Sequence, residues 1–498
     1  VRKIATGAAL AVVASLVMAP TAQAEPADAG RLPRLVNVNR IEGHLDNLAT
    51  IADYNGGNRA TGTPGYQVAA QYVIDQLERA GYEPEVHEYD YESWSEVSPS
   101  EIEQVAPEQV AYEYGTDFLT FTYSVAGEVT APVVPVNTGA ADSGCTAEQF
   151  AGFPEGAIAL IRRGSCTFQI KTDLAAQAGA SAAIIFNSGG APEFEQPVLG
   201  TVGGLSEIPV VGTSNDLGEA LAATEGLELR VAVDSVVETR SSFNVVAETE
   251  TGRHDNVVVV GAHLDSVREG AGINDNGSGV ATVLEIARQL PRLNENRLNN
   301  AVRFAFWGTE EEGLIGSTEY VQSLSEEQID DIALYLNFDM VGSPNYARFV
   351  LDGDDSLGGS ITPPPAGSGA IETLFHRYFD AQGMVSEDSE FNGRSDYSGF
   401  INAGIPSGGL FSGAEGVKTE EQVEWYGGTA GESYDPNYHT AADDLDNINR
   451  QSLDELSDAA AYAVETYARS TLPVNGVLRT AQATAPAQFE RQGDLFLR

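Results

Sequence analysis

Apolar residues along this chain recur with two different periods, and the change from one to the other lays out the fold. From Val257 to Val260 four consecutive β-branched residues form an unbroken apolar run, the pattern of a parallel strand buried on both faces. Beyond the loop Gly272 to Gly279, residues Val280, Val283, Leu284 and Ala287 return at helical spacing. The succession then repeats, with a strand from Val302 to Trp307, a helix around Thr318 to Leu324 and a strand from Leu334 to Phe338. Alternation of this kind predicts an α/β fold, a mostly parallel central sheet flanked by helices.

Upstream, a helix is predicted from Val36 to about Asp53, and a second one ending at Gly81 with Val68, Tyr72, Val73 and Leu77 on one face. The stretch from Tyr82 to Trp94 alternates like an exposed strand. Between Tyr123 and Val236 the texture changes to short β-rich runs around one alanine-rich helix, a self-contained block that reads as an insertion. A last helix carries Leu453, Leu456, Ala460 and Tyr467 on one face, and no periodicity follows Leu472. The expected organisation is a signal segment at 1–24, a discontinuous main domain at 25–122 and 237–472, an inserted small β-rich domain at 123–236, and a partly ordered tail at 473–498.

The N-terminus supports the first of these limits, because Arg2 and Lys3 precede an apolar run to Ala19 and a small-residue cleavage site at Ala22 to Ala24. The expectation is a secreted protein with no membrane span, acting as a monomer. Cys145 and Cys166 are the only cysteines. In an oxidising compartment they read most simply as one disulfide, with a two-cysteine metal site as the alternative. The formal net charge of −46 argues against nucleic acid as a partner, since phosphate binding relies on Lys and Arg. The acid is dispersed, giving a hydrated, self-repelling surface suited to saline surroundings. Removal of salt should therefore reduce structure and activity together, which circular dichroism and an assay across a salt series would check.

The candidate chemistry lies where the apolar strands end. His263 and Asp265 follow the first strand, Asp275 lies in the next loop, Glu310, Glu311 and Glu312 follow the second strand, Asp339 follows the third, and His439 sits in a later loop. Ligands in open α/β sheets bind outside the carboxyl ends of the strands. A second His-Leu-Asp, His44 to Asp46, serves as a control and reads as solvated helix residues. His, Asp and Glu ligands without cysteine suit a catalytic zinc pair bridged by one carboxylate. Adjacent glutamates allow one to bind metal while the other takes a proton from the attacking water.

Together "GAHLDS", "GINDNGSG", "FWGTEEEGLIGS", "NFDMVGSPN" and "YHTAADDLDNI" resemble the M28 family of co-catalytic zinc aminopeptidases. The stretch from Gly144 to Ser188 resembles the protease-associated domain inserted in many secreted peptidases, which implies a lid or interaction module. The resemblance implies two zinc ions per chain, one bound by His263 and Asp339, the other by Glu311 and His439, with Asp275 bridging. It further implies that Glu310 is the general base, that Asp265 orients His263, that Tyr438 stabilises the oxyanion, and that Arg394 lies near the substrate's terminus. One departure is that Asn437 and Ala442 stand where some relatives have cysteines flanking the Tyr-His pair. The function implied is a secreted aminopeptidase acting on peptide or protein N-termini with apolar first residues. The alternatives are a carboxypeptidase or other metal amidase of the same fold and a non-catalytic binding protein; no G-x-S-x-G elbow supports a serine hydrolase.

Overall fold

The computed structural model describes residues 30–190, 194–293 and 298–476. The expected signal segment therefore lies outside the described residues, as does the tail beyond 476.

The main sheet runs, from one edge, through strands Glu387–Ser389, Phe349–Leu351, Ser407–Phe411, Ile332–Phe338, Arg253–His263, Asn300–Trp307 and Glu228–Glu248. Arg253–His263 is parallel to both of its neighbours, and Ser407–Phe411 extends that parallel set. Antiparallel pairing enters where Glu228–Glu248 and Phe349–Leu351 join. The valine run is apolar throughout because its residues face two cores in alternation. Val258 and Val260 pack beneath helices Val38–Tyr54, Pro64–Ala80, Gly279–Gln289, Ser368–Gln382 and Arg450–Arg469. Val257 and Val259 pack with Tyr320, Val321, Tyr397 and Phe400 on the other face. At roughly 25 cal/mol per Å² of apolar area, burial on both faces makes this strand a chief source of cohesion.

Two sequence expectations need correction here. Val68 is 43% exposed, because the helix capped by Thr63 and started by Pro64 turns Tyr66, Ala69, Ala70, Val73 and Leu77 inward instead. His44 is buried, not solvated: it falls in the same stripe as Ile41, Leu45 and Leu48. Its Nδ1 lies 2.6 Å from the Tyr72 hydroxyl and its Nε2 3.2 Å from Arg288. Asp46, two residues on, is exposed.

The strand expected near Tyr82 to Trp94 is far longer, Glu85–Ala106, because it pairs antiparallel along nearly its whole length with Glu228–Glu248. Beyond these arms the sheet continues through Gly127–Pro135, Ile158–Arg162, Ala182–Phe186, Val210–Thr213 and Phe118–Thr120, with cores of their own on both sides. The reading of the cysteines as one disulfide agrees with the structure, in which Cys145 and Cys166 are joined 21 residues apart. Opening a loop of that length costs about 3 kcal/mol, so the double alanine variant should show a lower melting temperature by calorimetry.

Candidate active site

Three parallel strands end side by side, and each delivers polar groups to one crevice. His263 closes Arg253–His263, the glutamate turn follows Asn300–Trp307, and Asp339 follows Ile332–Phe338. Asp275 arrives from the loop that leads into helix Gly279–Gln289. Gly279 lets that loop settle against the Asp339 strand, since a Cβ there would collide with the carbonyl of Phe338. His439 comes from the loop before the last long helix and has a left-handed backbone, φ 57°.

These residues converge on two adjoining positions. His263 Nε2 lies 3.2 Å from Asp339 Oδ1 and 3.2 Å from Asp275 Oδ1. His439 Nε2 lies 3.1 Å from Asp275 Oδ2 and 3.1 Å from Glu311 Oε2. Asp275 thus turns one oxygen to each group. Metal bonds of about 2.0 to 2.1 Å in a tetrahedral site place neighbouring ligand atoms about 3.3 Å apart, so these spacings fit two zinc-sized ions. Glu311 supports the same fit, because both of its carboxylate oxygens are buried and the His439 ring lies beside Oε2. Glu310 stands apart, its Oε2 3.9 Å from His263 Nε2, and it is buried while lining the adjacent cavity.

The electrostatics follow from packing acids where water is scarce. Burial raises the Glu310 carboxyl well above its usual range, and Asp339 and Glu311 add to the effect against the pull of His263. Burial likewise raises Glu311 to about 8, with Asp275 adding and His439 opposing. For Asp275 burial also acts upward, but hydrogen bonds from His263 and His439 outweigh it and hold the group ionised. For His263 burial acts downward and is outweighed by Glu310 and Asp339, which keep the ring protonated without metal. A cation entering this cluster displaces protons from it.

Asp265 is fully buried, and its two oxygens accept from the backbone N–H groups of Glu310 and Glu311 at 3.2 and 3.3 Å. The carboxylate lies 3.9 Å from His263 Nδ1, while its own carbonyl is nearer at 3.2 Å. It is placed to hold the glutamate turn more directly than the histidine. Tyr438 lines the cavity and stacks on His439 with ring centroids 3.8 Å apart. Arg394 pairs with Glu415 at 2.5 Å, and its Nη2 lies 3.3 Å from the Tyr438 hydroxyl. Asn437 is tied to Asp435 and Asn447, and Ala442 N–H donates to the Thr440 hydroxyl.

Four supporting residues escaped the sequence reading. Arg59 is fully buried and donates to the carbonyls of Leu264, Ala271 and Gly272, binding the His263 and Asp275 loops together. Asp443 accepts from the N–H groups of Asn274 and Asp275. Ser395 donates to Asp339 Oδ2 at 2.5 Å, and Asp396 is buried next to it, raised to about 7 by burial. Ser395 and Asp396 adjoin Arg394 in sequence, and Asp443 follows His439 by four residues, so proximity to a candidate was the available signal. Arg59 carried none beyond being the one charge in a loop of small and polar residues. A separate group, Glu372, His376 and Asp388, is a hydrogen-bonded network instead, with His376 Nε2 2.7 Å from Asp388 and Nδ1 2.8 Å from Ser386.

The cavity beside the two positions measures about 260 Å³. Phe349, Leu351, Leu410, Phe411 and Met340 supply apolar wall, while Arg394 is the only arginine or lysine among the described lining residues.

Residues 244–464 match peptidase family M28, and residues 129–221 match the PA domain. An aminopeptidase of Pseudomonas aeruginosa is 46% identical over 484 residues, covering 94% of this chain and 89% of that protein. A "probable lipoprotein aminopeptidase" of Mycobacterium tuberculosis is 44% identical, covering 90% and 88%. Among solved structures, an aminopeptidase from Aneurinibacillus sp. superposes with a TM-score of 0.70 at 26% identity, covering 95% of this chain and 98% of that one. A zinc aminopeptidase from Bacillus subtilis shares the fold, with a TM-score of 0.58 at 23% identity over 92% and 99%.

Proposed function

The chain belongs to peptidase family M28 and carries a PA domain, and on that premise we propose that it is a zinc aminopeptidase using two ions per chain. One observation carries the reading: Asp275 presents its two oxygens to two ligand sets, His263 with Asp339 and His439 with Glu311. When bound, zinc at these positions would supply Lewis-acid polarisation of the scissile carbonyl and an acidified water.

The chain's own groups divide the remaining work. Glu310, buried and outside the ligand spacing, takes the proton of the attacking water and passes it to the departing amine. Tyr438 donates its hydroxyl hydrogen to the oxygen that gains charge, and Arg394 orients that hydroxyl from 3.3 Å. The acidic surroundings favour a substrate's free ammonium group, and the apolar wall favours an apolar first side chain. A cavity this small is at or below the lower end of ligand pockets and suits one residue rather than a run of peptide. A carboxypeptidase would need a cation for the substrate carboxylate, whereas Arg394 is already paired with Glu415. The Cys145–Cys166 disulfide supports an oxidising, extracellular location. The same reading takes the substrate to be peptide or protein N-termini, and the enzyme to be a secreted monomer that binds neither membrane nor nucleic acid.

The test is a leucyl anilide assay on purified protein with metal analysis. Two zinc ions per chain are expected, with activity abolished by a chelator and restored by zinc. N-acetylation of the substrate should also abolish turnover, and activity that persists on the blocked substrate would overturn the aminopeptidase assignment.

A further inference from the structure

No described residue lining the cavity comes from 123–236, yet the inserted unit touches the catalytic turn. The Tyr123 hydroxyl donates to the carbonyl of Glu312 at 3.1 Å and is shared with the carbonyl of Glu92 at 3.3 Å. Glu312 directly follows Glu310 and Glu311. The turn itself is tight: Thr309 and Leu314 have left-handed backbones, φ 59° and 56°, and the Glu310 carbonyl accepts from the N–H groups of Gly313 and Leu314 at 2.8 Å each. From the sheet it is held by the Asp265 carboxylate. From the inserted unit it is held by Tyr123.

Tyr123 is built as a rigid strut. Its φ of 66° is a conformation that a bulky residue keeps only where its surroundings impose it. Those surroundings are well defined. Ser206 N–H donates to the Tyr123 carbonyl at 2.9 Å. The carbonyl of Ser124 accepts from Trp94 Nε1 and the Ser235 hydroxyl at 2.8 and 2.7 Å, and the Ser124 hydroxyl accepts from Val210 N–H at 2.8 Å. Tyr123 is 2% exposed and shares one buried core with Ile161, Phe168 and Ile185 of the inserted unit. The Glu312 side chain adds a second tie by accepting from the Ser93 hydroxyl at 2.8 Å.

We propose that Tyr123 is a positioning residue through which the inserted unit sets the placement of Glu310 and Glu311. The effect on turnover rests on the aminopeptidase reading; the effect on the turn does not. The inserted unit then acts on the chemistry from behind the glutamates instead of covering the substrate.

Tyr123→Phe removes one oxygen and keeps the ring. In the holoenzyme it should lower kcat about fivefold, the worth of one hydrogen bond, with KM within twofold. It should speed zinc release to a chelator by a similar factor and accelerate amide hydrogen exchange across residues 309–314, with the melting temperature showing the variant folded. Ser181→Ala is the control, because it removes a comparable bond to the Gly156 carbonyl inside the inserted unit and should move none of these. The proposal is overturned if exchange across 309–314 is unchanged in Tyr123→Phe, or if Ser181→Ala reproduces the changes. Wild-type protein inactive on the anilide would remove the aminopeptidase reading, while the exchange measurement would still decide this one.

Discussion

Replacing Glu310 by glutamine should leave the zinc content of the chain intact and lower turnover by at least about a thousandfold. The expectation comes from how the two adjacent glutamates differ in place. Glu311 lies at ligand spacing, its Oε2 3.1 Å from His439 Nε2, with its carboxylate buried among the other candidate ligands. Glu310 is buried and cavity-lining, and its Oε2 is 3.9 Å from His263 Nε2, wider than the 3.1 to 3.2 Å that separates each imidazole from its paired carboxylates. Before metal enters, burial with the neighbouring Asp339 and Glu311 raises its carboxyl above the usual range, and bound cations would favour the ionised form that accepts the proton. Glutamine keeps the size and can still hydrogen-bond, but it cannot carry that proton. The variant should therefore bind substrate with KM little changed. Retention of more than a few per cent of activity, with metals bound, would sink the assignment of the base.

Most of the candidate site was legible in the sequence because strand periodicity fixes where strands end, and in open α/β sheets the ends are where ligands gather. Val257 to Val260 located His263, and the next two apolar runs located the glutamate turn and Asp339 in the same way. What periodicity could not deliver was the company those residues keep. Arg59, from a loop without any repeating pattern, crosses some 200 residues of sequence to clamp two active-site loops. The 22-residue arm Glu85–Ala106 was visible only in part, because its partner strand Glu228–Glu248 lies far along the chain and alternation weakens where both faces are half exposed. His44 was misread although helical spacing places it among Ile41, Leu45 and Leu48. A histidine in an apolar stripe is buried with partners, here Tyr72, Glu285 and Arg288, and the same sequence neighbours, Leu and Asp, produced metal-site geometry only at His263.

Asp275→Ala should fail in a different way from Glu310→Gln, losing metal as well as activity. Asp275 is the one carboxylate facing both imidazoles, through Oδ1 to His263 and Oδ2 to His439. Its two oxygens would place one negative charge between the two ligand sets, offsetting the repulsion between two bound dications. Without it each remaining set is one imidazole and one carboxylate, too few to hold zinc against water. The variant should retain at most one weakly bound ion, show activity reduced more than about a thousandfold, and gain no thermal stability from added zinc, whereas the parent chain should melt higher as zinc is raised. Acid should reproduce the loss in the parent. Burial places Glu311 near 8 before metal enters, and protonation of a ligand competes with the cation, so zinc affinity should fall as pH drops below that value. Metal analysis with chelator competition at two pH values reads both effects, and an Asp275→Ala variant that still carries two tightly held ions would show that the bridge is not this aspartate.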